Sequence, residues 1–195
     1  MTPILDTNVY SRIDWRFTSY NLKLMQLLKI DKSTYKKRLN IITIALVAAL
    51  ALLSVGFGSL LIANFGAQQG TTESTGNFHL NLIGVIAAAI VCASAMSFLK
   101  ETPYFHEVYY VWRLKALQNR IYRKLKGIKE RGASNDRDAL IILNFYYRSL
   151  KEVYLLDNNT LTLPELETNI SQIQQQIEDL NLEISVDDFN DNLLK

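Results

Sequence analysis

The chain has 195 residues, 49% of them hydrophobic and 21% charged, which leaves room for one modest domain at a formal net charge of +2. One cysteine, Cys92, excludes an intrachain disulfide framework, and the absence of G-x-x-x-x-G-K, G-x-G-x-x-G and G-x-S-x-G excludes the common phosphate-loop, dinucleotide and nucleophile-elbow signatures. A mean hydropathy of only +0.04 hides a sharp internal contrast between two charge-free stretches and a polar remainder.

Residues 1–29 form an N-terminal extension with two open readings. Tyr20, Leu24, Leu27 and Leu28 fall at i, i+4, i+7 and i+8 beside Lys23 and Lys29, the pattern of an interfacial amphipathic helix. Alternatively, Met25 is an internal start and the first 24 residues are a start-site artefact. The late onset of the first apolar run and the lack of a cleavage region argue against a signal peptide. Asp31 or Ser33 is placed to cap a helix leading into the first apolar stretch.

Residues 30–99 read as a transmembrane hairpin, with spans at about 41–63 and 80–99 and an outer loop at 64–79. Each span would be about 30 to 35 Å long as helix, matching a hydrocarbon core of about 30 Å. Lys32, Lys36, Lys37 and Arg38 precede the first span, and Lys100, Arg113, Lys115 and Arg120 follow the second, while the loop has no Lys or Arg. The positive-inside rule therefore expects both termini in the cytoplasm. Lys36, Lys37 and Arg38 also suit contact with anionic lipid, although topology alone accounts for them.

Small residues recur every four positions, with Ala45 and Ala49, then Ser54 and Gly58, in the first span and Gly84, Ala88 and Cys92 in the second. Close helix packing is expected, within the hairpin or between copies, the short loop favouring the former. Neither span contains an ionisable group, so a proton relay has no candidate. Thr43, Ser54, Ser59, Ser94 and Ser97 supply the polar lining for a homo-oligomeric pore.

Residues 100–195 read as a cytoplasmic helical domain with helices at about 103–131, 136–156 and 163–184. Thr102 and Pro103 suit the start of the first, along which Val111, Leu114, Leu117, Ile121, Leu125 and Ile128 step by three and four. Arg113, Arg120, Arg123, Lys124 and Lys126 fall around its other sides. Gly132 to Asp136 reads as a turn, and Asp136 or a neighbour suits the next N-cap. Leu140, Ile142, Leu143, Phe145, Tyr146, Leu150, Val153 and Tyr154 then make a helix apolar on more than one side, with Asn144, Arg148 and Lys151 as its narrow wet strip. Such a helix needs two neighbours.

Thr162-Leu163-Pro164-Glu165 reads as a capping box, and Leu166, Ile170, Ile173, Ile177, Leu180 and Ile184 as a heptad seam. The seam fits an intramolecular antiparallel three-helix bundle, with the acidic third helix near the basic first, or a coiled coil between chains. Ser185 to Phe189 reads as a final short turn, with Phe189, Leu193 and Leu194 packing back. Charge divides accordingly: nine Lys or Arg against three acids from Lys100 to Arg131, and ten acids against one Lys from Glu152 to Lys195.

Ile30-Asp31-Lys32 with Tyr35-Lys36-Lys37, Asn77-Phe78-His79 with Asn81-Leu82 and Gly84-Val85, Val108 to Lys115, and Leu156 to Thr162 together resemble a family of small uncharacterised bacterial inner-membrane proteins, known as a domain of unknown function. The resemblance runs from about Ile30 to the C-terminus and implies a multi-pass protein of the bacterial inner membrane. It implies no reaction, substrate or cofactor. At the position of His79 the family more often carries Trp, so the resemblance implies no ligand role there.

His79 and His106 fall on opposite sides of the membrane in this topology, and each lacks companion ligands, so no metal or other cofactor is expected. Asp157-Asn158-Asn159 lacks the glycine and distant glutamate of a calcium loop and reads as a turn. No catalytic constellation is found, and the basic helix abuts the membrane and faces internal acids, so neither an enzyme nor nucleic-acid binding is expected. The sequence thus leads to an all-α membrane protein, a two-span hairpin with a cytoplasmic three-helix bundle, acting as a membrane-anchored accessory protein. Its expected partners are membrane lipids, a protein and, as a further possibility, a second copy. Arg120, Arg123 and Lys124 on the basic helix and Glu178, Glu183 and Asp187 on the acidic end are the candidate contacts. The alternatives are the homo-oligomeric pore and an anionic-lipid-binding protein.

Overall fold

A computed structural model describes residues 27–66 and 76–195. The described residues form five α-helices, α1 (Lys32–Phe65), α2 (Phe78–Leu99), α3 (His106–Ala133), α4 (Arg137–Asp157) and α5 (Leu163–Asp179), followed by 3-10 turns at Val186–Asp188 and Asp191–Leu194, with no strand among them. Contacts divide them into two units, Ile30–Arg113 and one containing Leu114–Lys195. The proposed extension through residue 26 and most of the loop at 64–79 lie outside the described residues.

In the unit Ile30–Arg113, Asp31 caps α1 by accepting from the Thr34 N–H at 2.8 Å and the Ser33 hydroxyl at 2.7 Å. These bonds hold its carboxyl at about 2, below the usual 3.8. The 34-residue α1 starts at Lys32, as a helix capped at Asp31 or Ser33 requires, and runs without a break into the first apolar span, because apolarity marks the stretch that tolerates hydrocarbon and not the helix end. α2 buries Leu80, Gly84, Ala88 and Cys92 in steps of four. That stripe packs on α1, where a Cβ on Gly84 would stand 2.6 Å from the Gly58 nitrogen and 2.9 Å from its Cα. The two backbones therefore meet directly, as small-residue packing allows. Ala45 is exposed, so it lies off the packed face although its spacing suggested otherwise.

After α2 the chain turns at 100–105, and α3 starts at His106 rather than 103. The Thr102 hydroxyl donates backward to the Leu99 carbonyl at 2.7 Å, closing α2 instead of capping α3. Arg38 ties this turn to α1: its guanidinium donates to the Pro103 carbonyl, meets the Glu107 carboxylate at 3.3 Å and lies 5.3 Å from the centre of the Tyr104 ring. These ties explain why the first unit extends past Leu99 to Arg113.

In the unit containing Leu114–Lys195, α3 buries Leu114, Leu117, Ile121 and Ile128 along its expected seam. It runs antiparallel to α4, as the Lys115–Asp157 ion pair (2.7 Å), the Gln118–Ser149 hydrogen bond (3.1 Å) and the Arg131–Asp136 pair (2.6 Å) show in succession. α5 runs back along α4, with Lys151 on Glu167 at 2.7 Å and Arg148 on Gln174 at 2.9 Å. α4 is buried continuously from Ala139 to Tyr147, as a helix with neighbours on both sides must be. Asn144 belongs to this core rather than to a wet strip: it is 5% exposed, and its amide oxygen accepts from Arg148 Nε at 2.8 Å.

Asparagines in the left-handed region stop three segments, Asn135 (φ 64°), Asn158 (φ 61°) and Asn181 (φ 52°). Asn tolerates this conformation better than other side chains. The last of them corrects the expected third helix, which ends at Asp179 and not 184. Leu180 and Ile184 therefore lie beyond α5, and the helical part of the seam stops at Ile177. Thr162 is also corrected: it sits at the N-cap with φ −96° and ψ −1°, and its side chain makes no cap bond because that helical conformation turns it from the N3 amide. The capping box occurs instead at Ser185 and Asp188.

Asp136 caps α4 through the amides of Asp138 and Ala139, and the Arg131 guanidinium beside it lowers its carboxyl below the usual range. Asp136→Ala is expected to cost about 1 kcal/mol in urea unfolding at neutral pH. Because the folded-state value is the lower one, the ionised cap stabilises above the unfolded value of 3.8, and that stability is lost as pH falls through the folded value. The variant's deficit should therefore shrink below about pH 4; a deficit constant down to acid pH would assign its origin elsewhere.

Candidate functional site

The basic entrance to α1 is only partly available for contact. Lys37 is exposed and Lys36 half-buried, while Arg38 is engaged with Pro103, Tyr104 and Glu107. Glu107 Oε2 is buried and lacks an aligned hydrogen bond, so the Arg38 charge is what compensates it. Neighbouring His106 is pushed below the usual imidazole range by burial, with the Glu107 charge acting in the opposite direction. Tyr109 stacks on Trp112 at 5.9 Å, and Arg113 lies over the same Tyr109 ring.

On α3, Arg120, Arg123 and Lys124 are exposed on one flank of the buried seam. Arg120 pairs with Asp191 at 3.0 Å, and Lys124 donates to the Leu194 carbonyl. The acids chosen from the sequence lie elsewhere. Glu178 accepts from Gln174, while Glu183 and Asp187 are exposed after the end of α5. The acid that meets Arg120 is Asp191, within a C-terminal segment anchored by Phe189 and Leu194. Sequence reasoning had the signal for that segment, the apolar residues packing back, but not for the charge that travels with them.

Arg148 links α4 to α5, donating to Asn144 and to Gln174, and Gln174 in turn donates to Glu178. Burial raises the Glu152 carboxyl and pushes the Tyr146 hydroxyl up to about 12, so the latter remains a neutral phenol at physiological pH. A cavity of about 210 Å³ lies where α3, α4 and α5 meet, lined by residues including Lys129, Tyr147, Asn169 and Gln176. Among the described residues, no three metal-ligating side chains cluster. Three of the five hydroxyls suggested for a pore lining are bonded within their own helices: Thr43 donates to the Leu39, Ser54 to the Leu50 and Ser94 to the Ile90 carbonyl.

A family model described as a protein of unknown function (DUF3087) matches residues 25–194. No curated protein and no solved structure matches the chain.

Proposed function

We propose that this chain, which belongs to the DUF3087 family of proteins of unknown function, is a membrane-anchored accessory protein: α1 and α2 cross the bacterial inner membrane, and the helices after them are presented to a partner in the cytoplasm. The observation that carries the reading is the exposure of the two apolar helices. Their most apolar windows have mean hydropathies of 2.5 and 2.4, yet only 11% and 17% of them are buried. A core helix of a soluble protein has those side chains covered. Here Leu52 is 75% and Phe98 82% exposed, within an apolar surface that runs all round both helices.

Hydrocarbon satisfies this surface, provided that polar groups bond internally. The helical backbones meet that condition, as do the Thr43, Ser54 and Ser94 hydroxyls. The lysines and arginine in the first turns of α1 and the lysines and arginines after α2 support a cytoplasmic location for both ends. Glu183 and Asp187, exposed after α5, are the partner contacts this reading favours.

Fractionation tests it directly. The chain is expected to stay in the membrane pellet through an alkaline carbonate wash and to leave it only with detergent. A cysteine at Gln69 should react with an impermeant maleimide in intact cells, whereas one at Ser134 should require permeabilisation. Release by carbonate would end the membrane reading, and the reverse labelling pattern would invert the topology. Cross-linking in those membranes then reports whether a partner or a second copy is attached.

A further inference from the structure

The cations of α3 separate by what holds them. Lys115 pairs with Asp157, Arg131 with Asp136, and Lys129 lies over the Tyr147 ring. Arg120 and Lys124, one turn apart, and Arg123 are exposed on one flank of the helix, while Lys126 and Tyr122, which is 65% exposed, lie farther round it. Between Asn119 and Lys129 the sequence contains no acid, so this stretch has no counter-charge of its own. Part of that charge comes instead from the chain's last residues. Asp191 sits on Arg120, the Leu194 carbonyl accepts from Lys124, and a cavity of about 200 Å³ lies between this segment and Gly127, Ile128 and Arg131.

The attachment of this segment is uneven. Phe189 is 1% exposed and stacks on Phe145 with ring centres 4.1 Å apart, which fixes the chain up to that point. Beyond it, residues 190–195 are held by an exposed ion pair, a lysine-to-carbonyl bond and the Leu194 side chain. Exposed ion pairs contribute little in water, whereas several cations facing anionic headgroups act together.

We infer that the exposed cationic side of α3 is a docking surface for an anionic bilayer, and that residues 190–195 are its removable cover. The inference rests on the membrane reading above. A bilayer is the favoured occupant because α3 begins at His106, just after α2 ends at Leu99, and because its exposed Trp112 and Tyr122 are side chains suited to headgroup depth. Anionic headgroups compete with Asp191 for Arg120 and with the Leu194 carbonyl for Lys124, while Phe189 stays in place.

The test uses the full chain with Cys92→Ala, carrying Leu194→Cys in one version and Leu193→Cys in another, in nanodiscs of phosphatidylcholine with or without phosphatidylglycerol. Maleimide labelling of both probes is expected to accelerate on the order of tenfold in the anionic discs, and to slow again at high salt. Combining Arg120→Gln, Arg123→Gln and Lys124→Gln should remove the lipid dependence. Equal rates in the two compositions, or a lipid dependence that survives the triple substitution, would overturn the covered surface. Equal acceleration by soluble polyglutamate in neutral discs would overturn the lipid in favour of an acidic protein. A chain that does not enter discs overturns the membrane reading itself, and this inference with it.

Discussion

Gly84→Leu is expected to separate α1 from α2. The space that a side chain would need at this position is occupied by backbone, with the Gly58 nitrogen at 2.6 Å and its Cα at 2.9 Å from a Cβ on Gly84. Backbone in the middle of a helix cannot rotate aside as a side chain can. Even Gly84→Ala should cost about 1 to 3 kcal/mol, the range for overpacking a tight contact, and leucine should exceed it. Two neighbouring substitutions separate this explanation from a general sensitivity of glycines. A Cβ on Gly58 meets the Asn81 side-chain oxygen at 2.8 Å, which can swing away, so Gly58→Ala should be milder. Gly56 faces open space within 4 Å, and Gly56→Ala should be neutral or favourable by up to about 1 kcal/mol through helix propensity. Unfolding in mixed detergent and denaturing micelles, followed by cross-linking of cysteines placed across the two helices, ranks the four variants. Equal tolerance of Gly84→Leu and Gly56→Ala would refute the close crossing.

Phe189→Ala should cost about 3 to 5 kcal/mol, the range for truncating a buried phenylalanine. Phe189 is 1% and Phe145 0% exposed, and their rings stack at 11° between planes. The loss should appear as a lower unfolding temperature together with rapid proteolysis after Asn181, because the two 3-10 turns depend on this contact for attachment to α4. Phe145→Ala should destabilise by a similar amount, and the double variant by less than the sum of the two, since each loses the same stacked pair. A cost below about 1 kcal/mol for Phe189→Ala would mean that the C-terminal segment lies on the core without being part of it.

Local patterns carried much of the architecture. Two charge-free runs announced two long apolar helices, because a span of that composition has few other solutions. The caps of α1 and α4 were legible to within a residue or two, as Asp31 or Ser33 and as Asp136 or a neighbour, because capping chemistry lies within three residues of its amides, and the structure assigns them to Asp31 and Asp136. The α3 seam was legible because helical periodicity is a local property, and the double-sided apolarity of α4 correctly demanded neighbours on both sides. The same reliance on pattern failed at Asn181, where apolar spacing continues through Leu180 and Ile184 although one left-handed residue has already ended the helix.

The candidate site was less legible than the fold. Arg120, Arg123 and Lys124 could be placed together on one side of a helix from their spacing alone, but their relation to acids could not. Arg120 meets Asp191, 71 positions away, and not the α5 acids, because the chain reverses after Asn181 and Phe189 anchors the returning segment. Asn144 likewise changed from a polar surface residue to a buried acceptor once α3 and α5 covered α4. The sequence by itself determined the two apolar helices, their charged flanks and the seams that needed partners, since these follow from solvation and from a period of a few residues. Only the tertiary structure decided which glycines touch and which acid meets Arg120, because each of these depends on groups far apart in the chain arriving at the same place.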